Sequence, residues 1–206
     1  IFYSKLDENH RPKKIFRHEI GKSVKEDLLI FEEKTPAFTV SIGISADEKY
    51  YFINSSDHNT SEKYYFKSNE ILPKPKIVRK REKGIIYSVS SWGGYFYIHT
   101  NKGAEDFKIE RSKDIEASEW GVFIPAKNET MIGGLTFLKD WIVRSELNNA
   151  LDKIFVRDIK SNKEEELIFT DEEVYDASIS HTQRDRNTDH IYISYSTPKT
   201  QARTYL

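Results

Sequence analysis

The 206-residue chain contains no cysteine. That excludes disulfide staples and thiolate metal sites and fits a reducing compartment. No run of 18 apolar residues occurs, so no helical membrane span is expected. No basic-then-apolar leader opens the chain, and with the missing cysteine this makes a cytoplasmic location the expectation. An excess of charge is lacking too: 32 Lys and Arg face 33 Asp and Glu, for a formal net charge of −1. No large basic field is therefore available for nucleic acid or an anionic membrane surface. The first residue is Ile1 and the single methionine is Met131, so a piece of a longer protein is expected. An amphipathic helix is missing as well. Residues 22–34 start as one helical turn, but LLIFEE within them reads better as a strand.

What is present is β pattern and aromatic mass. Apolar residues make up 37% and aromatics 13%, with 12 Tyr, 12 Phe and 3 Trp, enough for a real core and against disorder. Short alternating runs rich in β-branched and aromatic residues recur between Gly, Asn, Asp, Ser and Pro, as in FTVSIGI at 38–44, KYYFIN at 49–54 and YFYIHT at 95–100. The strands that open each set begin near Phe38, Ile85, Met131 and Val174, at spacings of 47, 46 and 43 residues. Each interval holds about four strands, and that period is the mark of a β-propeller blade. The fold class read from this pattern is all-β: a propeller of four-stranded antiparallel blades. Residues 1–34 end one blade, 38–82, 85–126 and 131–171 form three more, and 174–206 begin another, about four blades' worth in all.

Motifs that carry chemistry are sparse. Gly21-Lys22-Ser23 lacks the upstream glycine of a phosphate loop and reads as a turn. Gly43-Ile44-Ser45 lacks the second glycine of a nucleophile elbow, and no elbow occurs elsewhere. His181, Asp185, Asp189 and His190 contain metal-ligand types, but their polar, partly basic surroundings read as a solvated loop. The basic run Lys76, Arg79, Lys80, Arg81 and Lys83 reads as a charged, solvated edge. Sequons begin at Asn54, Asn59 and Asn128. Tyr50, Tyr51, Tyr64, Tyr65, Tyr95 and Tyr97 are candidates for a carbohydrate or peptide site, with packing between blades the stronger reading. No catalytic, cofactor-binding or metal residue is assigned, and no cofactor is expected.

Local strings then resemble one family in order along the chain. LDENHRPKKIFRHEIG at 6–21, DLLIFEEK at 27–34, FYIHTNKGAEDFKIERS at 96–112, WGVFIPAKNETMIGG at 120–134 and SYSTPKT at 194–200 are similar to segments of the oligopeptidase B branch of the prolyl oligopeptidase family. The resemblance implies a propeller of about seven blades joined to an α/β-hydrolase domain with a Ser-Asp-His triad. It implies oligopeptide substrates cut after Lys or Arg, with the propeller excluding large proteins. The triad would lie outside residues 1–206, so this chain alone is expected to be catalytically silent. Expected partners are that hydrolase domain and an oligopeptide, with no nucleic acid and no membrane. The alternative is an autonomous propeller that binds a protein partner. Three positions depart from the family: Gly133 stands where a Glu is usual, Glu146-Leu147 where a Glu-Arg pair is, and Ala150 where a Gly is.

Incomplete blades also carry an expectation. Ile1, Phe2, Tyr3, Ile15, Phe16 and Ile20 at one end, and Ile191, Tyr192, Ile193 and Tyr195 at the other, should present apolar faces that promote self-association or fraying.

Overall fold

A computed structural model describes residues 1–168, 172–180 and 186–206. Among these residues eighteen strands form five antiparallel sheets, and none closes on itself. The first sheet has three strands, β1 (Phe2–Leu6), β2 (Pro12–Arg17) and β3 (Leu28–Glu32). The second has β4 (Thr39–Ile44), β5 (Tyr50–Ser56), β6 (Ser61–Lys67) and β7 (Lys76–Arg79). The third has β8 (Tyr87–Trp92), β9 (Tyr95–Thr100), β10 (Lys108–Ser112) and β11 (Gly121–Ile124). The fourth has β12 (Thr130–Phe137), β13 (Trp141–Asn148), β14 (Leu151–Asp158) and β15 (Glu164–Glu166). The fifth has β16 (Asp176–Ile179), β17 (Ile193–Thr197) and β18 (Thr200–Tyr205). Every sheet is a simple up-and-down meander, the form of a propeller blade. The one helical element among the described residues is a 3-10 turn at Val24–Glu26. No helix there is long and apolar enough to cross a membrane.

The chain divides into two compact units, residues 1–102 with 110–121, and residues 103–109 with 122–206. In the first unit, side-chain alternation builds two cores. Ile15, Val40, Ile53 and Phe66 form one, and Tyr65, Tyr87, Phe96, Ile98, Ile115 and Trp120 form the other. Aromatic residues dominate the latter because a ring covers large area at low entropic cost. In the second unit, Leu138, Val143, Ile154, Ala177, Ile179 and Tyr195 bring the fourth and fifth sheets together.

Turn chemistry sets several registers. Gly93 and Gly94, both at positive φ, join β8 to β9 in a two-residue turn of the kind that matches strand twist. Asn149 (φ 51°) and Ala150 (φ 60°) do the same between β13 and β14. In β12 the register shifts between Ile132, opposite Glu146, and Leu135, opposite Arg144. Gly133 and Gly134 thus face the single residue Ser145, a β-bulge.

The expected apolar faces are smaller than the strand pattern suggests. Ile15 is fully buried against the second sheet, and Phe2 packs on Tyr51 with ring centroids 4.6 Å apart. Tyr195 is buried, and Ile191 and Ile193 are partly covered in the same cluster. Alternation turns one face of each strand toward the neighbouring sheet, so Ile1, Tyr3, Ile20 and Tyr192 remain exposed while the others do not. An apolar hollow of about 350 Å³ persists beside the fifth sheet, lined by Leu167, Ile168, Ile191, Ile193, Tyr205 and Leu206 among others.

Candidate functional site

The six candidate tyrosines separate by strand face. Tyr51 and Tyr64 point to the first sheet, where Tyr51 meets Phe2 (4.6 Å) and Tyr64 meets Phe31 (4.6 Å). Tyr50 and Tyr65 point to the third sheet and pack with Phe96, with Tyr50 and Phe96 edge to face at 5.0 Å. Tyr95 carries the Arg111 guanidinium at 4.9 Å and the Lys113 ammonium at 5.4 Å over its ring. Tyr97 is buried. Packing between sheets therefore accounts for most of the set, as the alternation implied.

Tyr50 and Tyr65 do more than pack, because they floor a cleft of about 420 Å³. One wall is the β6–β7 loop with Lys67, Glu70, Lys74 and Lys76; the other is the β10–β11 loop with Lys113, Asp114 and Glu116. Glu116 joins the walls, since its Oε1 accepts from Lys76 Nζ and from the Tyr65 hydroxyl, both at 2.6 Å. Lys76 and Tyr65 together hold the Glu116 carboxyl below the usual range. Burial, then Glu116, pushes the Tyr65 phenol well up, so it stays a neutral donor. The other two acids are engaged locally: Glu70 accepts from the Lys67 backbone N–H at 3.0 Å, and Asp114 from that of Glu116 at 2.9 Å.

The basic run departs from the solvated-edge reading. Lys76, Arg79 and Arg81 reach carboxylates on other strands and loops, with Arg79 meeting Glu110 at 3.0 Å. Arg81 bridges Glu33 at 2.7 Å and Glu62 at 2.8 Å and lies over the Phe38 ring at 4.1 Å. Desolvation favours the neutral acid at Glu33, but hydrogen bonds from Ser55, Arg81 and Thr35 outweigh it and hold the carboxyl down at about 2. Lys13, also buried, donates to the carbonyls of Thr35 (2.7 Å), Pro36 (2.9 Å) and Phe38, so the linker from β3 to β4 is clamped from both sides. Sequence reasoning missed Glu33, Glu62 and Lys13. No local signal marks them: Lys13, Glu33 and Glu62 stand beside the charged residues Lys14, Glu32 and Lys63.

A second network occupies the fourth sheet. Buried Arg144 binds Glu146 at 2.7 Å and Glu164 at 2.6 Å, Lys127 adds to Glu146 at 2.7 Å, and Arg157 to Glu164 at 2.9 Å. Glu146 thus finds its cations in Arg144 on the same strand face and in Lys127, while Leu147 points outward.

The remaining motifs resolve as local structure. Ser23 caps the 3-10 turn, accepting from the Lys25 N–H at 3.3 Å, and Gly21 turns at φ 88°. Ser45 accepts from the Tyr50 N–H at 3.0 Å, and its turn mate Asp47 accepts from Ser91 of the third sheet at 2.8 Å. Asn54 lies within β5 and donates to Ser56, whereas Asn59 and Asn128 lie in exposed turns. Of the histidine–aspartate cluster, His181 and Asp185 fall outside the described residues. Asp189 and His190 form an exposed pair at 2.6 Å. Among the described residues no group of acids and histidines could hold a metal ion.

The sequence profile described as "Prolyl oligopeptidase, N-terminal beta-propeller domain" matches residues 1–205. "Protease 2" of Moraxella lacunata is 31% identical over 203 residues, covering 97% of this chain and 29% of that protein. "Dipeptidyl aminopeptidase BI" of Pseudoxanthomonas mexicana is 26% identical over 214 residues, covering 100% of this chain and 28% of that protein. Oligopeptidase B from Trypanosoma brucei, in a closed form with covalently bound antipain, superposes with a TM-score of 0.91 at 27% identity, covering 99% of this chain and 30% of that one. Oligopeptidase B from Leishmania major follows at 0.88 and 22% identity, covering 98% and 30%. The chain thus spans less than a third of the relatives it matches. It belongs to the prolyl oligopeptidase family, and its sheets are blades of that family's N-terminal β-propeller domain.

Proposed function

We propose that this chain is the gating part of a serine oligopeptidase that hydrolyses short peptides after Lys or Arg. The observation that carries the reading is the match of residues 1–205 to the propeller of a peptidase family, joined to a TM-score of 0.91 against an oligopeptidase B holding a covalent inhibitor. In this reading the propeller sits over an α/β-hydrolase domain carried elsewhere in the polypeptide. It admits oligopeptides and excludes folded proteins by closing over the site. The hydrolase serine attacks the peptide carbonyl, a histidine takes and returns the proton, and an aspartate orients the histidine. Residues 1–206 contribute rigidity: the Glu33–Arg81–Glu62 and Arg144–Glu146–Glu164 networks fix strands within their units, as a gate of fixed aperture requires. A cytoplasmic setting fits the absence of cysteine.

The test treats the full product of the gene encoding this chain with a fluorophosphonate serine probe and a chromogenic Arg-Arg peptide. The expected result is one labelled serine outside residues 1–206 and hydrolysis that the probe blocks. The 206-residue chain alone should show neither. Absence of both from the full product would instead support a binding propeller with no catalytic role.

A further inference from the structure

The cleft floored by Tyr50, Tyr65 and Phe96 carries an uneven distribution of charge partners. Its three acids are engaged with cleft groups: Glu116 with Lys76 and Tyr65, Glu70 with the backbone at Lys67, and Asp114 with the backbone at Glu116. Of its four lysines, only Lys76 has a carboxylate partner among the described residues. Lys67 and Lys74 extend from the β6–β7 wall without an ion pair, and Lys113, on the facing wall, rests on the Tyr95 ring. Ammonium groups from two walls therefore flank an aromatic floor. An ammonium over a ring is only weakly held at an exposed site, so Lys113 is free to meet an anion. The next exposed feature belongs to the same wall: Ile71 and Leu72, at 73% and 71% exposure, extend the apolar surface from the loop that carries Lys74.

An apolar floor between unpaired cations matches one ligand chemistry: an apolar or aromatic side chain next to a carboxylate. We propose that this cleft binds the free C-terminal end of an oligopeptide whose last residue is apolar or aromatic. The side chain lies on Tyr50 and Phe96, and the carboxylate lies between Lys74 and Lys113. Glu116 holds Lys76 and the Tyr65 hydroxyl in place and so fixes the floor. The choice of a peptide as the source of the carboxylate rests on the oligopeptidase reading. The choice of a carboxylate rests on the charge pattern alone.

The experiment is isothermal titration of the 206-residue chain with Ala-Ala-Phe as the free acid and as its C-terminal amide, at low and at physiological salt. A third peptide, acetyl-Ala-Asp-Ala amide, carries its carboxylate on a side chain without an aromatic neighbour. The free acid is expected to bind about tenfold more tightly than either of the others, and the advantage to shrink as salt rises. The Lys74→Ala/Lys113→Ala double variant is expected to lose that advantage with an unchanged melting temperature. Lys160→Ala, an exposed lysine of the fourth sheet's β14–β15 turn, should keep it. Equal binding of acid and amide, no saturation up to about 10 mM, or an unaltered preference in the double variant would each overturn the proposal. Binding is read without catalysis, so a negative result here leaves the serine-labelling test of the peptidase reading intact. A silent full-length protein would likewise leave carboxylate binding measurable.

Discussion

Gly133 and Gly134 sit side by side in the bulge of β12, yet they should respond oppositely to the same methyl group. A Cβ built on Gly133 meets the Ser145 hydroxyl and lies 2.7 Å from the Ser145 backbone oxygen, while one built on Gly134 meets nothing within 4 Å. Ordinary non-bonded contact needs about 3.5 Å, so Gly133→Ala must push β12 from β13 by roughly 0.8 Å at a point where backbone cannot yield as a side chain does. Overpacking of this kind costs about 1–3 kcal/mol. Gly134→Ala adds a side chain in open space and restricts the unfolded chain, a gain of about 0.4–1 kcal/mol. Urea denaturation followed by circular dichroism should separate the two variants by about 1.4–4 kcal/mol, or several degrees in melting temperature for a chain of this size. Equal midpoints would refute the bulge, because without it no residue faces Ser145 so closely.

Other consequences can be measured in the same way. Ala150→Gly should stabilise by about 0.5–1 kcal/mol, since Ala150 holds φ 60° in a turn that prefers Gly at its second position. Arg81→Ala should cost about 3–5 kcal/mol, because it leaves Glu33 and Glu62 buried without their cation, whereas a joint Arg81→Met, Glu33→Gln, Glu62→Gln change should cost less. Glu33 titrates near 4.5 when unfolded and at about 2 when folded. The unfolded state therefore binds the proton first, and stability should fall as pH drops from about 4.5 toward 2, a slope that Glu33→Gln should flatten. Lys63 shifts in the same direction in a higher pH window: burial pulls its ammonium down to about 8 from 10.5. Stability should rise with pH above about 8, and Lys63→Met should remove that rise.

The fold was legible because its signals repeat. FTVSIGI and YFYIHT alternate with period two, and the spacing between opening strands carries the blade unit, so strand type and meander order follow from local pattern. DLLIFEE became β3 with a 3-10 turn before it, because Ser23 caps a single turn and β-branched and aromatic residues follow at once. The cleft and the ion networks were not legible. Glu33 and Arg81 are 48 residues apart and Tyr65 and Glu116 are 51 apart, so nothing local couples them. A basic run looks identical whether it faces water or reaches across to acids on other strands. The terminal faces were legible in part for a related reason: alternation shows that one face is apolar but not which sheet covers it, so Ile15 is covered by Val40, Ile53 and Phe66 while Ile1, Tyr3, Ile20 and Tyr192 stay exposed.

The central claim is that this chain gates a peptidase by size. The direct measurement is the rate of cleavage after a single Arg in substrates of increasing length, from a pentapeptide to a reduced, alkylated protein, by the full gene product. The account predicts fast cleavage of the short peptides and a steep fall with length, with the protein left intact. A rate per Arg that is independent of length would contradict it.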